Sequence, residues 1–393
     1  MTTTPFRIAV DQGVLDDLRR RLATTRWPNG FDTDGWDFGT DLAYLKSLVD
    51  HWQDGFDWRA IEARLNRFAQ FRSEIDGLGI HFVHERAAAA TGIEPLTLLL
   101  VHGWPDSFVR FEKLIPLLAD PAAHGGDARD AFDVVVPSLP GYGFSDAARP
   151  GVLYDMAGIL GSLMESLGYE RYGVHGGDWG GTITERIAHA HPRQVVGVHM
   201  TDVSFMHLAE QHPDLSPDEE RFIAKSMKWQ KEEGAYAMIQ GTKPQTLAYG
   251  LADSPVGIAG WLVEKYRSWS DCGGDVETRF GKDDLLTQAT IYWVTNTIRS
   301  SMQLYHDSMN PGVVTGIAES LRRLTGRPSM PAGFALFPKD IRPPPRAWGE
   351  RFFDVQRWTE MPRGGHFAAF EEPALMADEL RAFFRPLRRD PGA

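Results

Sequence analysis

Tyr172-Gly173-Val174-His175-Gly176-Gly177-Asp178-Trp179-Gly180-Gly181-Thr182 decides the fold of this 393-residue chain. An apolar run gives way to paired glycines, and past Asp178 a second glycine pair opens a helix-compatible segment. The order reads as strand, sharp turn, helix. Small residues on both sides of the turn are what a close approach of strand and helix requires. In such an elbow the residue at the tip presents a nucleophile, and here it is Asp178. A serine would need a base to remove its proton, whereas a carboxylate is already anionic at neutral pH. Asp178 can therefore attack an sp³ carbon directly and leave an ester on the protein. A plain glycine-rich turn tipped by a solvated aspartate would show the same residues, so the rest of the chain has to decide.

Working outward, apolar runs end repeatedly in Gly- or Pro-containing loops. Leu96–Val101 runs into His102-Gly103-Trp104-Pro105, and Phe132–Val136 into Pro137-Ser138-Leu139-Pro140-Gly141-Tyr142-Gly143. Val195–Met200 runs into Thr201-Asp202-Val203-Ser204. Continuous apolar strands alternating with helical stretches predict a mostly parallel central sheet covered by helices on both faces. The loops at the strand ends then share one rim, where such folds bind ligands.

Four regions follow. Residues 1–75 read as a helical lead, with Leu15, Leu18 and Leu22 and then Leu42, Leu45, Val49 and Trp52 at helical spacing. Its tryptophans (Trp27, Trp36, Trp52 and Trp58) suit a segment that packs on the core. Residues 76–205 form the first part of the core. Residues 206–325, rich in helix formers and aromatics and without a strong strand run, read as a helical cap inserted over the sheet rim. Residues 326–393 complete the core with a strand at 334–338, a last strand around Phe352-Phe353-Asp354-Val355 and a helix from Ala374 to Phe384.

Composition excludes several classes. A net charge of −12, spread along the chain, disfavours nucleic acid as a partner. With Cys272 the single cysteine, neither an intrachain disulfide nor a thiolate metal cluster can form. No apolar signal-peptide core opens the chain, and no uncharged run approaches the ~20 residues that span a bilayer. A soluble, cytoplasmic protein without membrane contact is expected. No G-x-G-x-x-G, G-x-x-x-x-G-K-[ST] or H-E-x-x-H occurs, so dinucleotide, P-loop and zincin readings lack support, and no cofactor or metal is implied. His81 and His84 read as ordinary strand residues.

An ester on Asp178 has to be broken by water, and water needs a base. Among 13 histidines His366 stands apart, lying in Arg363-Gly364-Gly365-His366-Phe367 between a last strand and the C-terminal helix. That is the histidine position of the α/β-hydrolase fold, whose chain order is nucleophile, acid, histidine. A surface-loop histidine is the alternative. For the acid that orients the imidazole, Asp340 in Phe337-Pro338-Lys339-Asp340 is favoured, with Asp202 as rival and Glu350 a weaker third. In this fold the loop after the 96–101 strand and the residue after the nucleophile supply the oxyanion-hole amides, here Trp104 and Trp179.

Taken together, these residues resemble the epoxide hydrolases of the α/β-hydrolase superfamily, in the microsomal and fungal branch with a helical lead. The likeness runs through Asp17-Leu18-Arg19-Arg20-Arg21-Leu22, Trp27-Pro28, Trp36 and Tyr44-Leu45 in the lead. It continues through His102-Gly103-Trp104-Pro105, Ser138 to Ser145, Gly176-Gly177-Asp178-Trp179-Gly180, Phe337-Pro338-Lys339-Asp340 and Gly364 to Glu371. The resemblance implies two cap tyrosines as donors to the epoxide oxygen, matched by Tyr236 and Tyr305. It also implies a small-molecule epoxide substrate with an apolar or aryl body, no cofactor, and a role in detoxification or secondary metabolism. Oligomeric state stays open, a homodimer included. Two departures stand out. Mammalian microsomal members carry an N-terminal anchor that is not seen ahead of this lead, and some relatives have glutamate where Asp340 stands. A haloalkane dehalogenase, which shares an Asp nucleophile followed by Trp, and a non-catalytic ligand binder on the same fold are the competing readings.

Overall fold

The computed structural model describes residues 3–29, 35–88, 94–210, 212–310 and 326–388. Among these residues nine strands form one sheet: β1 Thr3–Pro5, β2 Gln70–Ile75, β3 Leu78–Glu85, β4 Leu96–Val101, β5 Phe132–Pro137, β6 Tyr172–Gly176, β7 Val195–Met200, β8 Pro331–Leu336 and β9 Asp354–Glu360. Their order across the sheet is β1-β2-β3-β5-β4-β6-β7-β8-β9. From β5 to β9 every pairing is parallel, whereas β1, β2 and β3 join by antiparallel pairings. β4, β5 and β6 are buried along their whole length, as expected of strands covered on both faces. The helix Pro373–Phe384 lies against the sheet so closely that Phe384 faces Gly173 in β6 and Phe383 faces Gly333 in β8.

The lead carries helices Gln12–Ala23, Leu42–Asp54 and Trp58–Leu65. Each begins behind an aspartate, Asp11, Asp41 or Asp57, whose side chain accepts from a first-turn amide. Leu15, Leu18 and Leu22 line the buried stripe of the first helix, each stabilising the fold by about 1.5–3 kcal/mol through burial. The lead also ties into the later helices: Arg21 Nη1 donates to Asp253 Oδ1 at 2.7 Å and Thr40 Oγ1 to the Gly260 carbonyl at 2.6 Å.

This region is not helical throughout. β1 pairs with β2, and β2 with β3 across the two-residue turn Asp76-Gly77. Both turn residues have positive φ, 51° and 75°, the backbone twist that closes a tight hairpin and that Asp-Gly adopts readily. At the other end, the last strand starts at Asp354, because Phe352 closes the helix Arg346–Phe352. β9 is an edge strand whose Gln356, Arg357, Thr359 and Glu360 leave no continuous apolar run to mark it.

Between β7 and β8 the described residues hold helices and no strand: Pro217–Glu233, Ala235–Thr242, Pro244–Asp253, Pro255–Trp269, Lys282–Val294, Ile298–Ser301 and Gln303–Met309. Pro217, Pro244 and Pro255 occupy first helical positions, where the missing N–H costs nothing. Ser216 and Glu219 form a reciprocal capping box on the first of them. Residues 311–325, which the sequence assigns to the end of the cap, lie outside the described residues.

Candidate active site

Asp178 stands between the end of β6 and the helix Trp179–Ala190, with φ 59° and ψ −132°. A non-glycine residue holds such a backbone only where its surroundings enforce it. The enforcement is visible: a Cβ on Gly180 would strike the Val101 carbonyl, and one on Gly103 would strike the Asp178 carboxyl itself. With nothing but hydrogen at position 103, the carboxylate reaches the neighbouring backbone. The Trp104 amide donates to its Oδ1 at 2.8 Å, and the Trp179 amide also bonds it.

His366 lies in the loop after β9, three strands across the sheet from β6. Its loop and that of Asp340 are joined by backbone pairing, Lys339 N–H to the Gly364 carbonyl at 3.1 Å. That pairing brings His366 Nδ1 to 2.7 Å from Asp340 Oδ1. His366 Nε2 lies 3.4 Å from Asp178 Oδ2 and makes no hydrogen bond among the described residues, which leaves it open to a reacting molecule. The imidazole is further fixed by its own amide, which donates to the Trp269 carbonyl at 2.8 Å, and by the Trp269 ring set edge-on at 5.3 Å.

The three charged groups control one another. Burial alone would raise the Asp178 pKa, but His366 and the two amides outweigh it and hold the carboxyl below its ordinary range. Burial would lower the His366 pKa, yet Asp340 and Asp178 together lift it to about 10. At neutral pH the resting site is therefore a carboxylate facing an imidazolium.

Tyr236 and Tyr305 descend from the cap helices Ala235–Thr242 and Gln303–Met309. Tyr236 stacks on Trp104 at 5.2 Å, Tyr305 sits edge-on to Trp179 at 5.0 Å, and the two phenols are 5.9 Å apart. Both are buried. Burial first raises the pKa of each, reinforced by Asp178 for Tyr236 and by Tyr236 and Asp178 for Tyr305, so both stay protonated donors. A cavity of 300 Å³ is lined by Asp178, Asp340, His366 and Trp179 from the core and by Tyr236 and Tyr305 from the cap. A larger cavity of 740 Å³ between the lead and the later helices is lined by none of these residues, all of which face the smaller one.

The rival acids fall elsewhere. Asp202 lines the same cavity but makes no hydrogen bond to His366, and its buried Oδ1 has no partner. Burial, then Asp340 and Asp178, push it up to about 7. Glu350 is exposed and pairs with Arg346 at 2.7 Å on a surface helix. Asp340 is the carboxyl on the imidazole. Among the described residues no group of three or more His, Cys, Asp or Glu side chains is disposed to hold a metal ion. No described helix is long and apolar enough to cross a membrane.

One buried pair was not read from the sequence. Arg110 is ion-paired with Asp106 beneath the site and donates to the His366 carbonyl at 2.5 Å. Tyr266 Oη donates to Asp106 Oδ1 at 2.8 Å and Tyr292 Oη to the Asp106 carbonyl at 2.9 Å. The i, i+4 spacing of Asp106 and Arg110 directly after His102-Gly103-Trp104-Pro105 is the available signal. Nothing in it distinguishes a buried pair from a solvated one.

Comparison with known proteins bears on the whole chain. The family model "Epoxide hydrolase N terminus" matches residues 3–111, and "alpha/beta hydrolase fold" matches residues 97–248. An inferred epoxide hydrolase of Stigmatella aurantiaca is 43% identical over 98% of this chain and 85% of its own length. Epoxide hydrolase 1 of Sus scrofa is 34% identical over 96% of this chain and 88% of its own. The crystal structure of juvenile hormone epoxide hydrolase from the silkworm Bombyx mori superposes with a TM-score of 0.86 at 28% identity, over 98% of this chain and 95% of that one.

Proposed function

The chain belongs to the epoxide hydrolases of the α/β-hydrolase fold, and from that premise we propose that it converts an epoxide to a vicinal diol through a covalent ester on Asp178. The observation that carries this reading is a single line of contacts. An anionic carboxylate on a strained elbow faces an imidazole nitrogen at 3.4 Å, and the other imidazole nitrogen is held by Asp340 at 2.7 Å.

In the first step a carboxylate oxygen of Asp178 attacks a ring carbon and the C–O bond on its far side breaks. Tyr236 and Tyr305, protonated and facing the same cavity, donate to the departing oxygen. That oxygen takes up a proton, and the loss is made good from His366. Esterification also removes the Asp178 charge, one of the two that keep the imidazole protonated. The group that was an imidazolium becomes a base only once there is an ester to hydrolyse. In the second step His366 Nε2 takes a proton from water and the resulting hydroxide adds to the Asp178 ester carbon. The amides of Trp104 and Trp179 receive the oxyanion, as they hold the resting carboxylate. Collapse releases the diol, whose leaving oxygen takes water's second proton, and restores the imidazolium-carboxylate pair.

A haloalkane dehalogenase would need N–H donors at the leaving group. Here two hydroxyls share the cavity with the nucleophile, which favours an oxygen leaving group. Parallel assays on styrene oxide and 1-bromobutane separate the two readings.

The decisive variant is His366→Gln. It should open the ring and then stall, so that intact-protein mass spectrometry shows protein plus one substrate, with the adduct on the peptide containing Asp178. A folded, substrate-binding variant that never gains mass would overturn the covalent reading.

A further inference from the structure

Arg342 lies in the wall of the catalytic cavity, two residues beyond Asp340. It is half-buried, with its guanidinium against the Trp229 ring at 5.2 Å and the Phe205 ring at 5.7 Å. Among the described residues it forms no hydrogen bond and no ion pair. Two other arginines drawn in from solvent have carboxylate acceptors: Arg110 has Asp106, and Arg351 has Glu219. No Arg342 nitrogen is fully buried, so water or a molecule bound in the cavity can supply the acceptors that the protein does not.

The carboxyls of the cavity do not fill that role. Asp178 is engaged by two backbone amides and faces His366. Asp340 Oδ1 is taken by His366 and by the Ile341 amide at 2.6 Å, and its buried Oδ2, without a partner among the described residues, is not bonded to Arg342. Asp202, the remaining one, has an unpartnered buried Oδ1 and is not bonded to Arg342. Burial and the charges of Asp340 and Asp178 push it up to about 7, against the opposing pull of His366 and Arg342, so at neutral pH it is only partly ionised. The charge of Arg342 is also felt at Tyr236, which puts the guanidinium within electrostatic reach of the proposed leaving-group donors. Contact with two aromatic rings restrains a guanidinium and leaves its N–H groups able to donate to a planar anion.

We infer that the substrate carries an anionic group, a carboxylate in the simplest case, which Arg342 binds while the epoxide lies against Asp178. The inference rests on the epoxide-opening reading above and narrows it to a substrate class: an apolar epoxide with an acidic end. The apolar part matches Phe205, Leu208 and Met238, which line the same cavity. A net charge of −12 would otherwise repel such a molecule, so a cation at the site is what makes an acid acceptable.

The test pairs each of a series of terminal epoxy acids of increasing chain length with its carboxamide, a neutral molecule of nearly the same shape. The readout is the ratio of acid to amide kcat/KM. In the wild-type protein at least one chain length should favour the acid by about 10- to 100-fold, the range of a charge-assisted hydrogen bond. Added salt should narrow the ratio. In Arg342→Gln the ratio should collapse toward one, and Arg342→Lys should retain part of it. If no chain length favours the acid in the wild type, or Arg342→Gln lowers acid and amide turnover equally, the inference is overturned and Arg342 only clamps cap to core. If neither acids, amides nor styrene oxide yield diol, the proposed function itself has failed.

Discussion

Replacing Asp178 with Asn should lower the His366 pKa by two to three units while leaving the imidazole in place. The two side chains approach to 3.4 Å, His366 Nε2 to Asp178 Oδ2. Unit charges at that separation in an effective dielectric of about 20 interact by about 5 kcal/mol, or roughly 3.5 pKa units. Each charge is spread over two atoms, which widens the mean separation and trims the effect to about 2–3 units. From about 10 in the native protein, the imidazole of the variant should titrate near neutrality, still lifted by Asp340. The substitution mimics the charge state of the ester, so it measures the change that would turn the imidazolium into a base between the two steps. Selective ¹⁵N-histidine labelling with long-range ¹H–¹⁵N correlation follows the titration, on freshly prepared protein to avoid deamidation of the new side chain. An Asp178→Asn imidazole titrating no lower than that of the wild type would refute the coupling. So would a wild-type His366 already neutral at pH 7.

Other outcomes follow from the same geometry. Asp340→Asn should slow ester hydrolysis by about 10²- to 10⁴-fold, the scale of losing the group that orients and stabilises a catalytic imidazolium. Asp202→Asn should cost far less when ester hydrolysis is followed by stopped flow for both variants, since Asp202 makes no bond to His366. Tyr236→Phe and Tyr305→Phe should each slow ester formation, and the double variant should reach or exceed the ~10²–10³-fold loss that follows removal of a single oxyanion donor. A double variant with undiminished single-turnover rate would remove both tyrosines from the mechanism. Stability carries a signature too. The folded His366 pKa of about 10 exceeds the unfolded value of ~6.5, so protonation of His366 stabilises the native state fully below that unfolded value. The contribution is lost as pH rises through about 10. The Tm difference between wild type and His366→Gln should shrink across that window, as calorimetry would show.

What the sequence discloses depends on how local the determining physics is. The elbow is legible because a strand, a forced turn and a helix leave glycines at fixed offsets from Asp178, and the structure shows what those glycines avoid. The core strands are legible because burial on both faces makes Leu96–Val101 and Phe132–Val136 continuously apolar. β9 is less so, since an edge strand needs no such run. β2 was hidden by its mixed polarity, although Asp76-Gly77 announces the hairpin that contains it. The roles of Tyr236 and Tyr305 could not be read from spacing. They lie on two short helices far apart in the sequence that only the fold packs together, with the phenols 5.9 Å apart, so family resemblance alone points to them in the sequence. Arg110 and Arg342 escape altogether: both sit in charged motifs that look solvated, and only packing shows one buried on Asp106 and the other in the wall of the cavity that Asp178 lines, without a hydrogen bond or ion pair among the described residues.

The measurement that tests the account most directly is the origin of oxygen in the first diol formed. With enzyme in excess over styrene oxide in ¹⁸O-water, a single turnover should give diol without label, because its new oxygen comes from Asp178, and the label should appear in the protein. Diol carrying ¹⁸O from the first turnover would mean that water attacks the epoxide directly, and the ester on Asp178 would have no place in the reaction.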